Sequence, residues 1–160
     1  MDMEVTIRRA KENDIDTVLE LLQEVLEVHA RIRPDIFISG TTKYTRDDLK
    51  KMFQNEDTPV LVAVNEDDVV QGYAFCVIQK QPFTTTMKNF TTLYLDDLCV
   101  DEKCRGQHVG TKLYQAVLAY AKQRGCYDVT LNVWEGNDNA RSFYESMGMR
   151  IKETTMETIL

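Results

Sequence analysis

The chain has no apolar run approaching the roughly 20 residues that a membrane-spanning helix needs, which excludes a helical membrane protein. Its opening, Met1-Asp2-Met3-Glu4, lacks the charged and apolar regions of a secretory signal. The four cysteines, Cys76, Cys99, Cys104 and Cys126, form no C-x-x-C pair. A zinc site or disulfide framework is therefore not expected, and a reduced, cytoplasmic chain is. There is no basic excess. The net charge of −7 argues against nucleic acid as a partner and is compatible with a cationic substrate, although most acidic proteins are acidic for solubility. Repeats, linkers and low-complexity tracts are missing too.

What remains is ordinary for a globular chain: 160 residues, 43% apolar and 28% charged. That length fits one domain, 1–160, with its own core. Val5 to Arg9 alternates as a strand. Asn13 or Asp14 caps a predicted helix reaching about His29, with Ile15, Val18, Leu22 and Leu26 inward. Arg33-Pro34 ends it and opens a loop to Gly40. Thr45 or Arg46 starts a second helix to about Asn55. Thr58 to Val64 and Val69 to Gln79 read as a hairpin across Asn65 to Asp68. A polar loop leads into a long strand, Phe90 to Val100. Helix 109–124, strand 127–134, helix 138–146 and a terminal strand near 154–159 complete the pattern. The order βααβββαβαβ predicts a mixed α/β sheet.

Two segments carry chemistry. In the first, strand Leu93 to Val100 meets the turn Asp101 to Cys104, then Arg105-Gly106-Gln107-His108-Val109-Gly110, then an amphipathic helix. A glycine-bearing turn at a helix start leaves backbone N–H groups unpaired on the positive end of the helix dipole, which suits phosphate. Such turns also merely cap helices. A Walker loop is excluded because Thr111-Lys112 stands at the wrong spacing, and the dinucleotide G-x-G-x-x-G is absent. In the second segment, strand 129–134 precedes the helix that Gly148 ends.

Together these segments closely resemble the GNAT N-acetyltransferase superfamily over about residues 90–150. The family's R/Q-x-x-G-x-G/A motif is met by Arg105, Gln107, Val109 and Gly110, with His108 in place of the middle glycine. Its N-x-x-A-x-x-[FL]-Y-x-x-x-G pattern is met by Asn137, Ala140, Phe143, Tyr144 and Gly148. The resemblance implies the acyl-CoA N-acyltransferase fold, with acetyl-CoA as co-substrate and a direct attack by an amine on the thioester. It implies pantetheine along the backbone of Leu98, Cys99 and Val100, and pyrophosphate at Arg105, Gly106, Gln107, His108, Val109, Gly110 and Thr111. Asn137 and Ala140 complete the expected cofactor contacts, although Asn137 also fits a helix N-cap.

Tyr144 resembles the family's general acid toward the leaving thiolate, and core packing is its alternative. A phenol near pKa ~10 is a weaker acid than a thiol near ~8.5, so a hydrogen bond to the thiolate describes its role better than complete proton transfer. Asp96 and Asp97 interrupt an apolar strand, where strict alternation sends them to opposite faces and buries one awkwardly. A β-bulge, which the family has at this point, relieves that. Leu93 to Asp97 resembles the L-Y-L-E-D of spermidine/spermine N-acetyltransferases, whose glutamate handles the substrate amine. Asp96 matches its place one methylene shorter, and Asp97 competes for the role; a solvated acidic doublet is the plain alternative. Asn132 stands where ribosomal-protein N-terminal acetyltransferases carry a glutamate base. It cannot be a base and is expected only to contact substrate.

His29, Arg31, Arg33 and Phe37 fall on the family's variable substrate-lining segment, and His29 and Phe37 are the substrate contacts expected there. A histidine near the amine can accept a proton, or simply cap the helix. Trp134 is read as packing at the sheet edge. The expected reaction is acetylation of a primary amine on a small molecule, with no nucleic acid, membrane or metal involved. Acetylation of a protein N-terminus or lysine, or a CoA-binding sensor without turnover, stays open. Dimers are common in the family, so a homodimer is an open alternative for the assembly.

Overall fold

The structure is a computed structural model that describes residues 4–160. The segment read as no leader, Met1-Asp2-Met3, lies outside the described residues. Among the described residues five strands form one sheet in the order β1-β2-β3-β4-β5: Thr6–Arg9, Val60–Val64, Val70–Lys80, Thr91–Val100 and Asp128–Thr130. The first three pairings are antiparallel, and β4 pairs with β5 in parallel. A parallel pair needs a crossover, which is supplied by helix α3, Val109–Gln123. Helices α1 (Ile15–Ile32), α2 (Arg46–Gln54) and α4 (Asp138–Ser146) complete the elements.

The two sheet faces bury two separate cores. On one, Ile15, Val18, Leu21, Leu22 and Leu49 pack on Val60, Val62, Tyr73, Phe75 and Cys99. On the other, Val109, Leu113, Val117 and Ala121 pack on Leu61, Ala63, Ala74, Leu93 and Leu95. Every residue of β2 is buried, as a strand covered on both sides requires. Each buried Val or Leu contributes about 1.5–3 kcal/mol, so each helix layer is held mainly by its apolar stripe. No described helix is long and apolar enough to cross a membrane.

The start of α2 follows the sequence, and that of α1 follows it in place but not in its cap. Thr45 caps α2: Asp48 N–H donates to Thr45 Oγ1 at 3.1 Å, and Thr45 N–H donates back to Asp48 Oδ2 at 2.9 Å. Helix α1 runs three residues past His29 and stops at Ile32, before Arg33-Pro34. Asp14 stands at its start without capping it. Its carboxylate instead takes a bidentate Arg8 at 2.7 and 2.9 Å, tying β1 to α1.

Two expectations fail. The strand read over 127–134 shrinks to Asp128–Thr130, because only Thr92, Leu93 and Tyr94 of β4 pair with it. The terminal strand near 154–159 does not form. Residues 150–160 have no ladder partner among the described residues and are exposed, with Lys152 reaching Asp128 at 3.0 Å and Glu157 reaching Arg33 at 2.5 Å. A strand is stable only against a partner edge, and side-chain alternation alone does not provide one.

Candidate active site

The β4 strand carries an extra residue. Phe75 of β3 faces Asp97, while the next residue, Cys76, faces Leu95, so Asp96 is the bulged position. Before the bulge the odd-numbered side chains, Leu93 and Leu95, join the α3-side core. After it Cys99 joins the α1-side core, and Leu98 and Val100 pack toward α3. The bulge thus turns two consecutive acids to the α1 side, and the expected conflict of alternation is resolved as the sequence suggested.

Each acid has its own partners. Asp96 accepts from Lys43 Nζ at 2.8 Å on both oxygens and from the Tyr44 hydroxyl at 2.8 Å. Tyr44 is held by stacking on Phe75, with ring centroids 5.4 Å apart. Asp97 accepts from the Tyr73 hydroxyl at 2.7 Å. Burial pushes the Asp97 carboxyl up to about 6, against the opposing pull of the Tyr73 hydrogen bond and the Lys43 charge. Asp97 therefore titrates within reach of neutral pH.

Beyond Tyr94 the β4–β5 ladder ends, while β3 pairs with β4 as far as Val100. One backbone edge of Leu95 to Val100, including Leu98, Cys99 and Val100, consequently lacks a strand partner. This open edge leads from the two acids to the turn before α3.

In that turn no N–H from Gly106 to Thr111 makes a hydrogen bond to a described residue, which leaves donors available around the start of α3. Gly106 takes φ +86° with nothing within 4 Å of a built Cβ, leaving the backbone open to close approach. His108 takes φ +61°, the left-handed region where glycine is easy, which explains why a glycine suits that position. Arg105 is exposed and Val109 is buried beneath the turn. Gln107 Oε1 is buried with no donor. Gly110 has another role: a Cβ there would lie 3.3 Å from the Phe143 ring and 3.5 Å from Val100, so this glycine lets α3 approach α4 and β4. An open strand edge ending in unpaired N–H groups fits the pantetheine and pyrophosphate of CoA.

Tyr144 stands on α4, half-buried, and its hydroxyl has no hydrogen-bond partner among the described residues. Burial, then the nearby Asp97 charge, raise its pKa, so the phenol stays protonated and able to donate. Asn137 is the N-cap of α4, its side chain accepting from the Ala140 N–H at 3.5 Å.

The α1 end supplies a wall. His29 and Phe37 rings lie 5.2 Å apart, Phe37 meets Trp134 edge-on at 5.3 Å, and Arg33 covers Trp134 at 5.9 Å. Trp134 thus belongs to this aromatic wall rather than to edge packing alone. Burial, then the Lys43 charge, lower the His29 pKa, keeping the imidazole neutral. Asn132 Nδ2 donates to the Tyr94 hydroxyl at 3.1 Å, which places it beside the acids without contact to them. Arg31 is exposed on the last turn of α1. Reading the sequence missed Lys43, Tyr44, Tyr73 and Tyr94. Only Tyr94 had a local signal, lying in the same strand as the acids.

The sequence profile of the acetyltransferase (GNAT) family matches residues 16–149. A thialysine N-epsilon-acetyltransferase from Bos taurus is 28% identical over 154 residues, covering 90% of this chain and 83% of its own. A mutant of the BH1408 protein from Bacillus halodurans superimposes with a TM-score of 0.92 at 35% identity, covering 97% of this chain and 99% of that one. An aminoglycoside N-acetyltransferase solved in complex with CoA shares the fold at a TM-score of 0.72 and 14% identity, over 100% and 97% of the two chains. With the open edge of β4 and the N–H groups before α3 on one path, and with the family profile matching most of its length, this chain is an N-acetyltransferase and belongs to the GNAT family.

Proposed function

We propose that the enzyme transfers the acetyl group of acetyl-CoA to a primary amine on a small molecule, by direct attack of the amine on the thioester. One observation supports this above the others. The unpaired edge of Leu95 to Val100 joins an acid pair at one end to available N–H groups at the other. In this reading Leu98, Cys99 and Val100 pair with pantetheine, and Gly106 to Thr111 hold pyrophosphate. That fixes the thioester carbonyl relative to the acids, which is the positional part of catalysis.

The acids divide the work on the amine. Asp96 binds the ammonium, as it now binds that of Lys43. Asp97, near neutral in pKa, receives the proton or passes it to water. Tyr144, kept neutral, hydrogen-bonds the departing thiolate. The Phe37–Trp134 wall packs the carbon chain that bears the amine. The relative named for acetylating the ε-amine of thialysine supports a side-chain amine on a flexible chain as acceptor. Thiol release from acetyl-CoA, measured over a panel of polyamines, lysine analogues and aminoglycosides, tests the proposal. Turnover with an aliphatic primary amine is expected; thiol release unaffected by every amine would overturn it.

A further inference from the structure

Lys43 lies in the loop between α1 and α2, yet its side chain ends at the acids of β4. Its Nζ sits 2.8 Å from both Asp96 oxygens and 5.5 Å over the Tyr44 ring. Its charge is also felt at His29, Tyr94 and Asp97, so the ammonium lies among the groups that line the site. Asp96 is 14% exposed and Lys43 48%, so the pair forms at the mouth of the site and not in the core. Pairs of that kind contribute about 0–1 kcal/mol and open readily. Lys11, Lys50 and Lys152 pair with Asp68, Glu12 and Asp128, none of which lies in the site.

We propose that Lys43 is an internal acceptor: given acetyl-CoA and no amine, the enzyme acetylates its own Lys43 Nζ. This rests on the reading that Asp96 holds the acceptor ammonium. Lys43 loses a proton through Asp97 to solvent, and its nitrogen lone pair forms the bond to the acetyl carbon. The carbon–sulfur bond breaks with its electron pair on sulfur, and CoA leaves as the thiol after Tyr144 donates and regains a proton. One amide, one thiol and one proton result. The amide nitrogen carries no charge, so Asp96 loses its internal cation and is left open to an external ammonium. Self-acetylation therefore opens the acceptor site.

The test incubates the whole chain with acetyl-CoA alone and maps acetyl groups by peptide mass spectrometry. Expected is one acetyl group on Lys43, ahead of exposed Lys88 and Lys122, at a rate unchanged on dilution of the protein. In Tyr144→Phe that rate should fall by about tenfold or more. An unmodified Lys43, a Lys43 acetylated no faster than surface lysines, or a rate indifferent to Tyr144 overturns the proposal. Thiol release with external amines runs in parallel. If amines are acetylated and Lys43 is not, this inference alone fails; if neither is, the proposed function fails with it. A second readout needs no acetyl-CoA. Lys43→Gln should bind butylammonium several-fold more tightly than the parent by calorimetry, and equal affinity would show that Lys43 does not occupy the acceptor's place.

Discussion

The Tyr73 hydroxyl donates to Asp97 Oδ2 at 2.7 Å, from the strand next to the one that carries the acid. This bond pulls the carboxyl down while burial pushes it up, and the balance leaves it at about 6. The acid limb of kcat/KM should therefore fall as pH drops through about 6, as Asp97 takes up a proton. Asp97→Asn should abolish that limb. Tyr73→Phe removes a lowering influence and should move the limb to higher pH. A pH–rate profile unchanged in both variants would reassign the proton to water or His29.

The same carboxyl affects stability with the opposite preference. Its folded pKa lies above the unfolded value of about 3.9, so the folded state favours the protonated form. Stability is lost as pH rises from about 4 to 6 and stays lower above that. Asp97→Asn should stabilise the fold at pH 7.5 by about 1–3 kcal/mol and by close to nothing at pH 4. Thermal melts at the two pH values measure this.

Tyr144→Phe should lower kcat by roughly 10- to 1,000-fold while leaving the KM for acetyl-CoA nearly unchanged. The hydroxyl makes no hydrogen bond to a described residue, so the fold should not suffer. A wild-type kcat in the folded variant would make Tyr144 a packing residue.

Asp96→Asn should raise the KM for a cationic acceptor and depress kcat/KM most near neutral pH. Alkaline pH, where free amine is abundant, should rescue part of the loss. Equal depression at every pH would mean that Asp96 shapes the site without handling the ammonium.

The N–H cradle is best tested at Gly106. Any side chain at Gly110 would press on Phe143, mixing packing with electrostatics. At Gly106 there is open space, and Asn and Asp both tolerate φ +86° better than other residues. Gly106→Asp should weaken CoA binding relative to Gly106→Asn by about tenfold, or ~1.4 kcal/mol, through charge alone. Equal affinities in calorimetry would place pyrophosphate elsewhere. His108→Gly should stabilise the fold by about 0.5–1 kcal/mol, the left-handed cost less glycine's added chain entropy.

What the sequence made legible was local. Helix 138–146 follows from the Asn137 cap and the Gly148 stop, and the turn before α3 from its glycines and the apolar stripe that follows. The doublet Asp96-Asp97 announced a conflict with alternation, and the bulge is its resolution. Partners brought from far along the chain were not legible. Tyr73, Tyr44 and Lys43 lie 24, 52 and 53 residues from the acids they touch, and each looks like an ordinary strand or loop residue. The overlong strand at 127–134 and the missing one near 154–159 share a cause. Alternation reports which residues suit a strand, while pairing depends on a neighbour that the local pattern does not contain.

The extra residue in β4 makes the enzyme's chemistry a matter of counting. Deleting one residue between Leu95 and Asp97 would leave a strand of nearly the same composition and a straighter ladder to β3. Asp97, Leu98 and Cys99 would keep their present faces, because Cys76 and Phe75 already face Leu95 and Asp97 in turn, and only the acid that holds Lys43 would be gone. A shortened strand of that kind would obey alternation throughout and would have lost one of its two acids. The added residue therefore supplies a second acid on the α1 side without turning its neighbours, and a relative that lacks it cannot be expected to place an acid pair in this way.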